Sequence, residues 1–148
     1  QPYSKDGAVI FVKLWQMLAT ETRYVAIDTN DGANWQTQHN REVCHLFSDD
    51  SEQVSLQRLK ANEALFTDTV FINAIFTDTI KGGAEILVLD GELIDAELAD
   101  NAKTYTRGGW LRLPVDALPQ IKAGVHGATV YLKTGHLSKV IGAKVEEK

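Results

Sequence analysis

Apolar positions along this chain fall in short runs, and turn-forming residues separate the runs at intervals too short for most helices. Segments rich in Val, Ile, Thr, Phe and Tyr predict strands at 8–14, 23–28, 41–47, 53–59, 69–76, 85–93, 103–105, 110–113 and 127–134. Between them stand Asp31-Gly32, Ser48-Asp49-Asp50-Ser51, Lys81-Gly82-Gly83 and Gly108-Gly109, residues that supply turns. Helical periodicity is weak. Residues 53–59 alternate as a strand does, and only a short turn of helix is expected after them. Ile86-Leu87-Val88-Leu89 is a continuous apolar run, as in a strand covered on both faces, and Gly91 is expected to end it. The acidic stretch 92–102 reads as the solvated tip of a hairpin. The expected fold class is all-β.

Two internal similarities modify this picture. Gly7-Ala8-Val9-Ile10-Phe11-Val12-Lys13-Leu14 resembles Gly127-Ala128-Thr129-Val130-Tyr131-Leu132-Lys133-Thr134, 120 positions later. One small β domain does not use the same strand twice with a whole domain between. The octads therefore predict that residues 1–17 are the tail strand of an upstream repeat and that 18–148 form the domain proper. A shorter repeat, Leu65-Phe66-Thr67-Asp68-Thr69-Val70 and Ile75-Phe76-Thr77-Asp78-Thr79-Ile80, suggests paired strands or a small duplication.

Composition narrows the function classes. The chain has 148 residues, enough for one domain with a substantial core. Its formal net charge of −5 lacks the basic stripe of a nucleic-acid surface. No run of apolar residues is long enough to span a membrane. The single cysteine, Cys44, cannot form an internal disulfide, which fits a reducing, cytoplasmic setting; its apolar, strand-like flanks predict a buried thiol.

Several segments together resemble the cupin domain of ChrR-type anti-sigma factors. They are Gly82-Gly83-Ala84-Glu85, Ile86-Leu87-Val88-Leu89-Asp90-Gly91, Gly108-Gly109-Trp110-Leu111-Arg112-Leu113-Pro114 and Val130-Tyr131-Leu132-Lys133. Val25-Ala26-Ile27-Asp28-Thr29 and Trp35 are similar to the family's run into the domain, so the resemblance covers about residues 24–137. It implies a double-stranded β-helix, the jelly-roll-like barrel of the RmlC-like cupins. Gln1-Pro2-Tyr3-Ser4-Lys5-Asp6-Gly7 resembles the family segment after its last metal-binding histidine. The resemblance thus also implies a double-cupin protein of which this chain is the second, degenerate repeat.

The family holds a metal with histidines and a carboxylate that converge inside the barrel. By resemblance those positions fall at Asp78, Ile80 and Ala84, with the last histidine at Pro119 or Gln120; a shift to the upstream copy of the short repeat gives Asp68 and Val70 instead. One carboxylate cannot replace the three protein ligands of a catalytic metal. Neither a metal nor another cofactor is therefore expected in this segment, and zinc or another transition metal is expected in the upstream repeat. Glu85 should point to the opposite face. His39, His45, His126 and His136 show no ligand spacing, and each reads as a surface or partly packed histidine. No nucleophile elbow, phosphate-binding loop or His-Glu-x-x-His is present, and no catalytic residue is assigned.

The resemblance implies a non-enzymatic regulatory or structural module in transcription regulation and stress response. Its partners would be the upstream cupin repeat, a second copy in a homodimer, and an extracytoplasmic-function sigma factor held by a zinc domain outside this chain; nucleic acid and membrane are not among them. In that family the cupin part responds to oxidative signals such as singlet oxygen. Two alternatives stay open. One is a metal-dependent double-cupin dioxygenase whose active metal lies in the other repeat. The other is a small-molecule sensor whose emptied barrel is lined by Ile80, Ala84, Ile86 and Val88.

Overall fold

The computed structural model describes residues 4–12, 20–66, 82–96, 102–117 and 119–138. They fall into two units: 4–12 and 20–24 belong to one, and the described residues from 25 to 138 to the other. The second unit carries strands β1 (Gln36–Gln38), β2 (Arg41–Ser48), β3 (Gln53–Leu59), β4 (Ala84–Asp95), β5 (Lys103–Thr106), β6 (Trp110–Leu113) and β7 (Ile121–Thr134). Two single 3-10 turns, Gly32–Asn34 and His136–Ser138, accompany them. Among the described residues every strand pairing is antiparallel, in the order β1-β2-β3-β7-β4-β5, with β6 also on β4.

Two long strands organise this unit. β7 pairs with β4 from Thr134↔Ala84 to Ile121↔Asp95. The other edge of β4 is shared: β6 takes residues 84–87 and β5 takes 92–95. Between them Val88 donates to Gly109 O at 2.9 Å and accepts from Gly108 N at 2.8 Å. β5 and β6 thus act as one strand interrupted by a tight turn. The free edge of β7 is divided in the same way. β3 covers 128–134, and the chain at 62–65 continues the ladder through Asn62 N to Gly124 O (3.1 Å), Ala123 N to Glu63 O (2.8 Å) and Leu65 N to Ile121 O (2.8 Å).

The register shifts twice along the β4–β7 ladder, between Val88 and Asp90 and between Gly91 and Leu93. Such shifts bend and twist a strand pair. Gly91 (φ +69) and Gly127 (φ +81) sit at this bend. A Cβ on Gly91 would lie 2.3 Å from Gly127 O, and one on Gly127 would lie 2.5 Å from Leu59 O. Only glycine fits both the backbone conformation and the approach. The bent strands enclose a core of Leu59, Leu65, Ile86, Val88, Leu93, Leu111, Ile121, Val130 and Leu132.

Several expectations meet their elements closely. β3 and β6 have the anticipated bounds, β2 gains only Ser48, and β5 gains only Thr106. Four others are corrected. Gly91 does not end its strand: β4 runs on to Asp95 because Glu92–Asp95 are paired with β5, so they are ladder and not hairpin tip. β7 starts at Ile121, six residues early, since its bulged middle carries the exposed Val125 that breaks the alternation. Residues 23–28 form no strand; Glu21 Oε1 accepts from Arg23 N and Asp28 Oδ1 from Asn30 N, local bonds that compete with a ladder. No helical turn follows Leu59, where Asn62 (φ +60) makes a plain turn. The described part of the expected first strand, 8–12, has no strand assignment, and 69–76 lies outside the described residues.

Candidate functional site

The printed registers set the side chains in rows across the sheet, because directly paired residues point to the same face. On the inner face one row reads His45, Ser55, Leu132, Ile86, Leu111 and the next reads Val43, Gln57, Val130, Val88. A third runs Gln53, Thr134, Ala84, Leu113. The half of this face on β4, β6 and β7 is mostly apolar core. The half on β1, β2 and β3 carries polar side chains into the interior.

A cavity of about 60 Å³ lies against that polar half, room for a few waters or one small molecule. Its polar lining is Gln38, His45, Gln53, Ser55, Gln57 and Thr134; Val43, Leu65, Phe66 and Leu132 supply the apolar part. Ser55, Gln57 and Thr134 are all more than 90% buried. Arg41 fixes one side of this region. It donates to Glu63 Oε1 (2.8 Å), Gln57 Oε1 (3.0 Å), Leu65 O (3.0 Å) and Ala64 O (2.7 Å). With its charge met and its fork occupied, the buried guanidinium ties the 62–65 segment to β2 and β3. Gln57 Nε2 in turn donates to Ser55 Oγ at 3.3 Å. At the exposed mouth Gln38 Nε2 meets His45 Nε2 at 2.8 Å.

The anticipated ligand positions are distributed as follows. Ala84 is fully buried in the core cluster and pairs with Thr134 at one end of β7. Pro119 and Gln120 lead into the opposite end of β7, at Ile121. Ala84, Pro119 and Gln120 do not line the cavity, and the β4–β7 ladder sets Ala84 apart from the other two. Asp78, Ile80, Asp68 and Val70 lie outside the described residues. Ile86 and Val88, expected as an apolar lining, are close-packed core with 0% and 1% exposure. The cavity wall instead sets Val43, Leu65, Phe66 and Leu132 beside polar side chains, because alternate residues of β3 put Ser55 and Gln57 inside.

Glu85 does face outward, as its position beside Ala84 requires. It pairs in register with Lys133 and Arg112 and lies 3.2 Å from His136 Nε2, with both side chains below 10% exposure. Lys133 meets Glu52 at 2.6 Å. The four histidines do not converge. His45 is at the inner mouth, His136 is on the outer face after β7, His39 (φ +50) is in the β1–β2 turn, and His126 is in the bulge of β7 rather than at its start. Cys44 is fully buried, as its flanks suggested.

A transition metal does not suit these residues. Ala84 and Pro119 have no side-chain donor, the polar part of the buried lining is neutral amides and hydroxyls, and one imidazole stands alone. Among the described residues no three of His, Cys, Asp or Glu come together in a metal-binding group. The sequence reasoning missed Arg41, Ser55 and Gln57. Their signal was a polar residue at every second place in an otherwise apolar strand, which reads equally well as an outward face.

No family model matches the chain. No curated protein matches it either. Solved structures do resemble it. The complex of Rhodobacter sphaeroides SigE with the anti-sigma ChrR aligns over 75% of this chain and 53% of the matched one, with a TM-score of 0.52 and 15% identity. This chain thus spans about half the length of that neighbour. The cupin domain of Schizosaccharomyces pombe Cnp3 aligns over 78% and 76%, with a TM-score of 0.55 and 17% identity. An acetylacetone dioxygenase from Acinetobacter johnsonii aligns over 80% and 76%, with a TM-score of 0.55 and 13% identity. At these identities the likeness is one of fold: an all-β double-stranded β-helix, the cupin barrel. Among the described residues no helix is long and apolar enough to cross a membrane.

Proposed function

We propose that this cupin barrel is a non-enzymatic regulatory module of the ChrR-like kind, in which the family's metal position has lost its ligands. The observation that carries the reading is Ala84: the place of the family's glutamate is taken by a methyl group packed at 0% exposure in the core. The uncharged amides and hydroxyls in the cavity lining support it. The likeness to ChrR supports the anti-sigma setting, in which a sigma factor would be held by residues outside this chain. The module's own work would be to pack against a metal-bearing cupin or a second copy and to carry an oxidative signal between them.

The dioxygenase reading draws on fold alone, as the likeness to ChrR does, at 13% and 15% identity. A specific observation favours small-molecule binding as the second reading: the cavity offers six hydrogen-bonding side chains beside an apolar wall. One experiment separates the regulatory and enzymatic readings. Deleting residues 18–148 from the natural polypeptide is expected to change the response of transcription to singlet oxygen. An unchanged response, together with loss of an iron-dependent oxygen uptake in the presence of a β-diketone, supports the enzyme.

A further inference from the structure

The polar half of the inner face has a chemistry that selects the occupant of its cavity. Two cross-strand pairs meet there. Gln53 of β3 is paired with Thr134 of β7, and Ser55 of β3 is paired with His45 of β2. Gln53 and Ser55 are two apart on one strand, so they share a face. The four polar side chains therefore border one patch of the cavity wall. Leu132, paired with Ser55, closes the patch with an apolar side chain, and Phe66 adds a second.

Most of the hydrogen-bonding capacity of this patch is unused within the fold. No hydrogen bond among the described residues engages the side chain of Gln53 or of Thr134, although Thr134 is only 4% exposed. Ser55 Oγ accepts from Gln57 Nε2 at 3.3 Å, which leaves its own O–H as a donor. Polar groups withdrawn from water in this way favour a guest that bonds to them. Charge restricts the guest further. No Asp, Glu, Lys or Arg lines the cavity. Arg41, bonded to Gln57, directs its remaining printed bonds to Glu63 and to the carbonyls of Ala64 and Leu65. A carboxylate or phosphate would lose its hydration here without gaining a fixed counter-charge. The volume of about 60 Å³ keeps the guest short.

We propose that this cavity binds a short vicinal diol, an uncharged molecule with two adjacent hydroxyls and a small apolar end. Adjacent hydroxyls match the carboxamide of Gln53, one donating to its oxygen and the other accepting from its nitrogen. The hydroxyls of Thr134 and Ser55 complete the polar set, and the apolar end lies against Leu132 and Phe66. The inference rests on the small-molecule reading given above and names its ligand class.

Propylene glycol, lactate and propanol test it at about pH 8, above the ordinary histidine range. The three are similar in size; lactate adds a charge to the glycol's frame, and propanol lacks one hydroxyl. Amide NMR signals of the chain are followed as each is added. Propylene glycol should give saturable shifts at residues 53–55 and 132–134. Lactate should give none there, and propanol should bind about tenfold more weakly, as the loss of one hydrogen bond requires. Thr134→Val keeps the side chain's shape without its hydroxyl and should weaken the glycol about tenfold while the rest of the spectrum stays in place. Gln53→Ala, at the exposed start of β3, should weaken it as well. Lactate or propanol saturating the same signals as tightly as the glycol overturns the diol class and leaves the small-molecule reading standing. Unchanged glycol affinity in both variants overturns the inference too. If none of the three probes gives a saturable shift, the inference and the small-molecule reading fall together.

Discussion

Glu52 and Lys133 meet at 2.6 Å on the outer face of the sheet, with side chains 9% and 3% exposed. Register sets Lys133 between Val54 of β3 and Glu85 of β4. A buried pair of this kind adds little net stability over an apolar replacement, but losing one member is costly because the other stays desolvated. Lys133→Met should therefore destabilise the barrel by about 3–5 kcal/mol in urea unfolding. Combining it with Glu52→Gln should cost clearly less than the sum of the two single changes.

Tyr131 stands in the neighbouring row of the same face, and its ionisation should report the cluster. Burial, and then the charges of Glu52 and Glu85, push its phenol up to about 12 from 10.0. The folded state holds this proton more tightly than the unfolded chain does. The shift is without effect below about pH 10, and stability falls as pH rises from there through about 12. In an absorbance titration one of the four tyrosines should ionise late, near the unfolding of the protein, and Tyr131→Phe should remove that step.

Gly91 and Gly127 make the bend in β4 and β7 sterically possible. Gly91→Ala and Gly127→Ala should each destabilise the fold by more than about 1 kcal/mol, since each adds a strained φ and a clash with a carbonyl oxygen. Gly32→Ala, with nothing within 4 Å of the new methyl, should stay within about 0.5 kcal/mol of the parent in thermal unfolding.

Cys44 lies in the outer-face row with Leu56, Tyr131, Leu87 and Trp110. Burial raises its thiol pKa, partly offset by the positive charge of Arg58. A thiol reagent at neutral pH should label the folded chain only at the rate of its opening, and at once in urea.

Strand composition and turn residues made most of the fold legible: 53–59 and 110–113 needed no revision. The failures have a common cause, which is that pairing decides where a strand ends. Gly91 looked like a terminator because glycine punctuates sequences; in the structure it is a bulge, held in the ladder by partners 37 positions away in β7. The sense of an alternating strand was also unreadable. In β3, Ser55 and Gln57 are buried and line the cavity together with the exposed Gln53. Arg41 could not be recognised as a core residue until Glu63, Gln57 and two carbonyls were found around it. That Ala84 takes the place of a family ligand is implied only by the family resemblance.

Metal content of the purified chain tests the central claim most directly. After expression in medium supplied with zinc, iron and nickel and dialysis against a chelator, elemental analysis should find far less than one transition metal per chain. One metal per chain, surviving dialysis, would contradict the account and direct attention to Asp78 and His45 as ligands.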